Sequence, residues 1–234
     1  GWEITAMDFP GHGNSSCKAE GENYHFIDGV SEVLAFCEQM GWQQFIIIGH
    51  SMGAAIGSLI AATFPEKVAA FVSIEALGPI FDESITAVEQ LRKHVLRRLK
   101  KPSKLTVYPT IESALEARVE IGELDHEIMR PLVERNLQAV EGGYCWKTDR
   151  RLRWPSALRM TEAQIDLFLK NIACPSLYIE GDKGYRGIHR LVKKRMPLVN
   201  DLQTTYLKGS HHLHMESVTE VAQAIDDFLK PLRD

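Results

Sequence analysis

The 234-residue chain is 44% hydrophobic and 25% charged, and its 31 acidic against 27 basic side chains leave a net charge of −4. That apolar content supplies a full core for one large domain, while a mildly acidic chain gives no overall electrostatic case for nucleic acid. No apolar run approaches the roughly 20 residues of a membrane-spanning helix and no signal peptide is recognisable; Cys17, Cys37, Cys145 and Cys174 form no Cys-x-x-Cys pair, the pattern expected of reduced thiols in a cytoplasmic protein.

Residues 2–9 read as a strand closed by the turn PGHGNSS. In YHFIDGVSEVLAFCEQMG (24–41), Phe26, Val30, Val33, Leu34 and Cys37 recur at helical spacing, and Gly41 stands where a C-cap belongs. FIIIGHSMGAAIGSL (45–59) opens on a β-branched run too short for a helix, which predicts a strand buried on both faces. Ser51 then sits inside Gly-x-Ser-x-Gly, a sharp strand-to-helix turn in which Gly49 and Gly53 are expected to avoid backbone collisions. Such a turn exposes Ser51 Oγ at a helix N-terminus and aims the Met52 N–H at a developing oxyanion. His50, beside it, is a candidate substrate contact.

KVAAFVSIEAL (67–77) reads as a further buried strand, so strand–helix alternation predicts a doubly wound, mostly parallel sheet. Residues 79–160 show only amphipathic helical patterns, broken at Pro102, Pro109 and Gly142-Gly143. A loop of that length is implausible inside a compact domain, so a helical cap is expected over 79–160 and a core over 1–78 and 161–234. Within the cap, RKHVLRRLKK (92–101) carries Val95, Leu96 and Leu99 at helical spacing and reads as a solvated helix face rather than an anion or membrane patch. The alternation resumes with CPSLYIEGD as a strand, IHRLVKKRM as a helix, LQTTYLKGS as a strand and SVTEVAQAIDDFLKPL as a closing helix.

A serine hydroxyl is a poor nucleophile without a histidine base and a carboxylate to orient it. On a doubly wound sheet these come from loops at the carboxyl ends of other strands. After the last strand, GSHHLHME offers His211, His212 and His214; their spacing fits neither H-E-x-x-H nor a Cys/His finger, so no metal is expected. His211, directly after the strand, is the expected base. For the acid two residues compete: Asp182, just past PSLYIEG, and Glu75, which ends an apolar strand where an unpaired carboxylate is expensive to bury.

MDFPGHGNS, GHSMGAAIGSL, IEALGP, WKTDRRLRWPSALRMTEAQ (146–164) and GSHHLHME together resemble the α/β-hydrolase superfamily, in particular its serine-hydrolase-like, Kraken-type branch. The resemblance implies an α/β-hydrolase fold with an inserted helical cap. Some of the related haloalkane dehalogenases carry a triad glutamate in a context similar to IEALGP, which implies that Glu75 rather than Asp182 is the acid. Those relatives use an aspartate nucleophile, whereas this chain has Ser51, so hydrolysis of a small-molecule ester or related acyl bond is expected. The family also places strands and a His-Gly oxyanion loop before the segment that matches residues 2–9, which leads to the expectation that the sequence is an N-terminally incomplete fragment. The expected enzyme is a carboxylesterase-type serine hydrolase with the triad Ser51, His211 and Glu75, no cofactor, and Tyr144, Trp146 and Trp154 as candidate acyl-pocket residues. Its alternatives are a non-catalytic ligand- or partner-binding protein on the same scaffold, or an acyltransferase.

Overall fold

Buried backbone groups need partners, so an apolar run becomes a strand only where a ladder is available. The structure, a computed structural model, describes residues 1–80, 85–100, 105–120 and 124–232. In chain order its main elements are α1 (Asp28–Gln39), β1 (Phe45–His50), α2 (Met52–Thr63), β2 (Val68–Ile74), α3 (Ala87–Leu99), α4 (Ile111–Val119), α5 (His126–Asn136), β3 (Leu137–Val140), β4 (Gly143–Trp146), α6 (Glu162–Lys170), β5 (Ser176–Gly181), α7 (Arg186–Arg195), β6 (Leu202–Leu207), α8 (Leu213–Glu216) and α9 (Val218–Leu229). They fall into two compact units, Gly1–Phe26 with Ile85–Leu158, and Ile27–Ser84 with Arg159–Asp234.

The second unit is built on a parallel sheet of four strands in the order β1-β2-β5-β6, as the strand–helix alternation predicts. Side chains alternate across a strand, and β2 shows what covers each face. Ala70, Val72 and Ile74 join Leu177 and Ile179 of β5 against Leu213, Val221, Phe228 and Leu229 of α8 and α9. Phe71 points the other way, toward α2: a Cβ on Gly57 would come within 2.8 Å of its ring and 2.9 Å of Ile47. The missing side chain lets α2, buried from Ala54 to Ala61, lie close on the sheet. Helices therefore cover both faces, and each fully buried aliphatic or aromatic side chain in these layers contributes about 1.5–3 kcal/mol.

β1 departs from expectation. It has β2 on one side only among the described residues, and Ile48 is 48% exposed, so FIII is not buried on both faces. β2 lies between β1 and β5 and is buried at every position but Ala69. Beyond it the chain is pinned by α7. Arg195, 1% exposed, donates to the carbonyls of Leu77 (2.9 Å) and Pro79 (2.7 Å) and pairs with both oxygens of Glu162. A buried guanidinium is tolerated because these partners replace water, and they fix the turn just past Glu75.

The first unit is not purely helical. α3, α4 and α5 follow the amphipathic patterns, but β3 and β4 form an antiparallel hairpin from Leu137↔Trp146 to Val140↔Gly143. Gly142, at φ 84, is a turn residue between two strands rather than a break between helices. α3 carries the solvated face expected of residues 92–101, with Val95, Leu96 and Leu99 44%, 48% and 78% exposed, whereas Gln90 and His94 are buried against the carbonyls of Ser156 and Pro155. Two polar side chains with fixed carbonyl partners take the packed side of the helix, and the aliphatic ones meet no covering surface among the described residues. Lys101 and the break at Pro102 lie outside the described residues.

Residues 2–9 form no strand, because no ladder partner meets them among the described residues. The turn that follows is held by side chains instead. Arg135 is bidentate to Asp8 (2.9 and 2.8 Å), and Arg151 donates to the carbonyls of Lys18, Ala19 and Glu22 while pairing with Asp149. Burial raises the Asp149 pKa, but bonds from Arg151 and Tyr24 outweigh it and hold it at about 2. No helix among the described residues is long and apolar enough to cross a membrane, and all four cysteines are free thiols.

Candidate active site

β1 ends at His50 and α2 begins at Met52, which leaves Ser51 alone to turn the chain. It does so at φ 51 and ψ −110, a conformation that costs a non-glycine residue on the order of 1–3 kcal/mol. The turn is closed by the Ser51 N–H, which donates to the Ile74 carbonyl at 2.9 Å. Gly49 is sterically required, since a Cβ there would lie 2.5 Å from Ala54 N and from the Gly53 carbonyl. Gly53 is not: a Cβ there meets nothing within 4 Å, so the collision argument holds for one flanking glycine only. Gly49→Ala is expected to lose at least about 1–3 kcal/mol by overpacking. Gly53→Ala, inside a helical turn, should gain up to about 1 kcal/mol, and urea unfolding of the two variants checks both values.

Met52 is the first residue of α2, so its N–H is among those a helix leaves without an intrahelical acceptor. That amide follows Ser51 directly in the chain, at the N-terminal end of the helix dipole.

Glu75 follows directly on β2 and is fully buried at φ 58. Ser73 supports this turn by donating its hydroxyl to the Ala76 carbonyl. The Glu75 carboxylate accepts from the Gly181 N–H at 2.6 Å and faces His211 Nδ1 and His189 Nε2, each at 3.2 Å. Burial pushes its pKa up, but the bonds from His211 and Gly181 and the nearby His189 ring outweigh burial and hold it below the ordinary glutamate value. It is an ionised carboxylate at neutral pH.

His211 follows β6 on a tight turn in which the Leu213 N–H returns to the Ser210 carbonyl. Its Nδ1 faces Glu75 Oε2 at 3.2 Å and its Nε2 lies 3.0 Å from Ser51 Oγ. A carboxylate at Nδ1 requires the proton on that nitrogen, so Nε2 is a bare acceptor for the serine hydroxyl. Tyr185 packs against the ring, with centroids 4.5 Å apart. Ser51, His211 and Glu75 thus form one hydrogen-bonded line across the carboxyl ends of β1, β2 and β6. Asp182 is exposed, and its Oδ1 accepts the Gly209 N–H at 2.9 Å, bracing the loop that leads to His211.

His189, in α7, was not legible as a site residue. Its Nε2 reaches both oxygens of Glu75 and its Nδ1 lies 3.6 Å from Glu180. The only trace in the sequence is Gly184, where a Cβ would come 2.3 Å from Glu75 Oε2 and 2.4 Å from His189 Nε2. His50 lies beside this line of contacts: its Nε2 is 2.7 Å from the His211 carbonyl, and its ring packs against His214 with centroids 4.1 Å apart. Burial, with His214 nearby, lowers His50 to about 3, and burial with His212 nearby lowers His214 to about 4. Both are neutral imidazoles at pH 7.

The aromatics expected at the acyl pocket belong to the first unit. Tyr144 exchanges two 2.8 Å backbone bonds with Tyr108, Trp146 meets the Tyr108 ring edge-on, and Trp154 lies under the Arg97 guanidinium at 5.0 Å.

Comparison with known proteins agrees with this fold. Residues 1–137 match the family profile described as alpha/beta hydrolase fold. A serine hydrolase-like protein of Dictyostelium discoideum is 32% identical over 100% of this chain and 69% of its own length, and one of Danio rerio is 28% identical over 98% and 74%. Among solved structures, a hypothetical protein of Pseudomonas aeruginosa PAO1 superposes with a TM-score of 0.85 at 34% identity, covering 93% of this chain and 80% of its own.

Proposed function

This chain belongs to the α/β-hydrolase fold family, and we propose that within it the chain works as a serine hydrolase of carboxylesterase type. The observation that carries the reading is the single line of contacts from Ser51 Oγ through His211 to Glu75, at 3.0 and 3.2 Å, with the strained serine at the head of a helix. His211 Nε2 takes the hydroxyl proton as Ser51 Oγ attacks the acyl carbon. Glu75 stabilises the imidazolium that forms, and the Met52 N–H faces the negative oxygen of the tetrahedral intermediate. Collapse expels the alcohol, which leaves with the proton from His211. Water, deprotonated by the same histidine, then attacks the acyl-Ser51 ester and releases the acid. Nothing in the chemistry needs a cofactor, because the charge developed at each step has a protein partner.

A fluorophosphonate probe tests the reading directly. One label per chain is expected on Ser51 by intact mass, and none on Ser51→Ala. A folded chain that takes no label, or takes it equally after the substitution, is not a serine hydrolase, and the scaffold would then serve binding.

A further inference from the structure

Sequence alone groups His211, His212 and His214 in one loop, in a spacing that fits no zinc motif. The fold changes that grouping: His211 turns to Ser51 and Glu75, and His50 arrives from the end of β1 in its place. One ring nitrogen from each of His50, His212 and His214 lies within 4.8 Å of the other two. We propose that these three imidazoles form a site for a divalent cation of borderline softness, of which zinc is the type.

The donor chemistry supports it. The Nε2 of His50 lies 2.7 Å from the His211 carbonyl, which only accepts, so that nitrogen carries the proton and Nδ1 is left as the ligand atom. A ring N–H given to a backbone carbonyl is the usual outer contact of a zinc-bound histidine, fixing its tautomer and orientation. His214 Nδ1 is buried with no hydrogen-bond partner among the described residues. A buried orphan nitrogen is costly, and a cation would satisfy it. Three imidazoles without a carboxylate or thiolate suit zinc, copper or nickel and not magnesium or calcium. They also leave the fourth tetrahedral position open.

The ring centroids of His50 lie 4.1 Å from His214 and 5.2 Å from His212. Zinc–nitrogen bonds of about 2.0–2.1 Å require the nitrogens to draw together, a movement that side-chain rotation supplies. A bound cation would tie the elbow that carries Ser51 to the loop that carries His211. The site uses neither of those residues, so it stands or falls independently of the hydrolase reading.

The test is equilibrium dialysis of the full chain against zinc with the metal counted per chain, in a Cys17→Ser background because Cys17 is the exposed thiol. One zinc per chain is expected, with affinity at least about tenfold weaker in His50→Ala and His214→Ala and unchanged in His126→Ala, which removes an exposed histidine elsewhere. Zinc should raise the melting temperature of the parent and not of the two cluster variants, since a ligand of the native state stabilises it. Visible d–d absorption on cobalt(II) substitution should follow the same pattern. The proposal is overturned if the parent retains no zinc at sub-millimolar concentration, or if His50→Ala and His214→Ala retain it as the parent does. Should either alanine variant fail to fold, His212→Gln carries the same comparison.

Discussion

Ser51→Ala is expected to lower kcat on an activated acyl ester by about 10⁵–10⁶-fold, the loss that follows when a serine nucleophile is removed from an intact triad. The fold should survive it. Alanine keeps the Cβ at φ 51, so the strain stays and stability should lie close to that of the parent. Ser51→Gly is the more informative partner. Glycine relieves about 1–3 kcal/mol of backbone strain and gives back about 0.5–1 kcal/mol through the freer unfolded chain, for a net gain on the order of 1 kcal/mol. Two inactive variants would then differ in urea midpoint in a predicted order, glycine above alanine. A glycine variant less stable than the parent would mean that the positive φ stores no strain, and that the exposed Oγ needs another explanation.

The elbow was legible because everything that makes it is local. A β-branched run, Gly49, Ser51 and an Ala/Gly helix fix the turn within fifteen residues, and Gly57 adds the close approach of α2 to Phe71 and Ile47. The remaining contacts depend on elements far apart in the chain. Glu75 could be singled out as a carboxylate too costly to bury unpaired, but its partners are the Gly181 amide of β5, His189 of α7 and His211 after β6. Strand order alone determines that they meet. His189 carries no signal of its own, since one histidine on a helix marks only a position on that helix. Residues 85–158 of the first unit show the same limit from the other side. Helical spacing in 79–160 is real, yet Leu137–Val140 and Gly143–Trp146 pair as strands because a glycine turn and a bridge from Tyr144 to Tyr108 outweigh a weak periodicity. On α3, Gln90 and His94 take the packed face because the carbonyls of Pro155 and Ser156 receive them, and helical spacing alone does not reveal those partners.

Glu75→Gln should lower kcat by about 10⁴-fold, the cost of the wrong histidine tautomer, while Asp182→Asn changes it little. The difference follows from hydrogens. Glu75 has only acceptor oxygens to offer: the Gly181 N–H meets one, His211 Nδ1 the other, and His189 Nε2 lies 3.2 Å from both. A glutamine has one acceptor and one donor. Its oxygen belongs with the Gly181 amide, the shorter contact at 2.6 Å, so its NH₂ faces His211. Two donors cannot share that bond. His211 must move its proton to Nε2, where it points at Ser51 Oγ and leaves no lone pair to receive the hydroxyl proton. Asp182→Asn, by contrast, keeps an oxygen for the Gly209 N–H. The same variant carries a stability signature. The folded pKa of Glu75 lies below its ordinary 4.5, so the ionised side chain stabilises the fold above that value, and the contribution is lost as pH falls through the folded pKa. Glu75→Gln should therefore show a shallower acid limb in urea midpoint against pH, together with its loss of turnover. If Asp182→Asn loses turnover instead and Glu75→Gln keeps it, the orienting acid is Asp182, and the buried glutamate serves only to hold β2, β5 and α7 together.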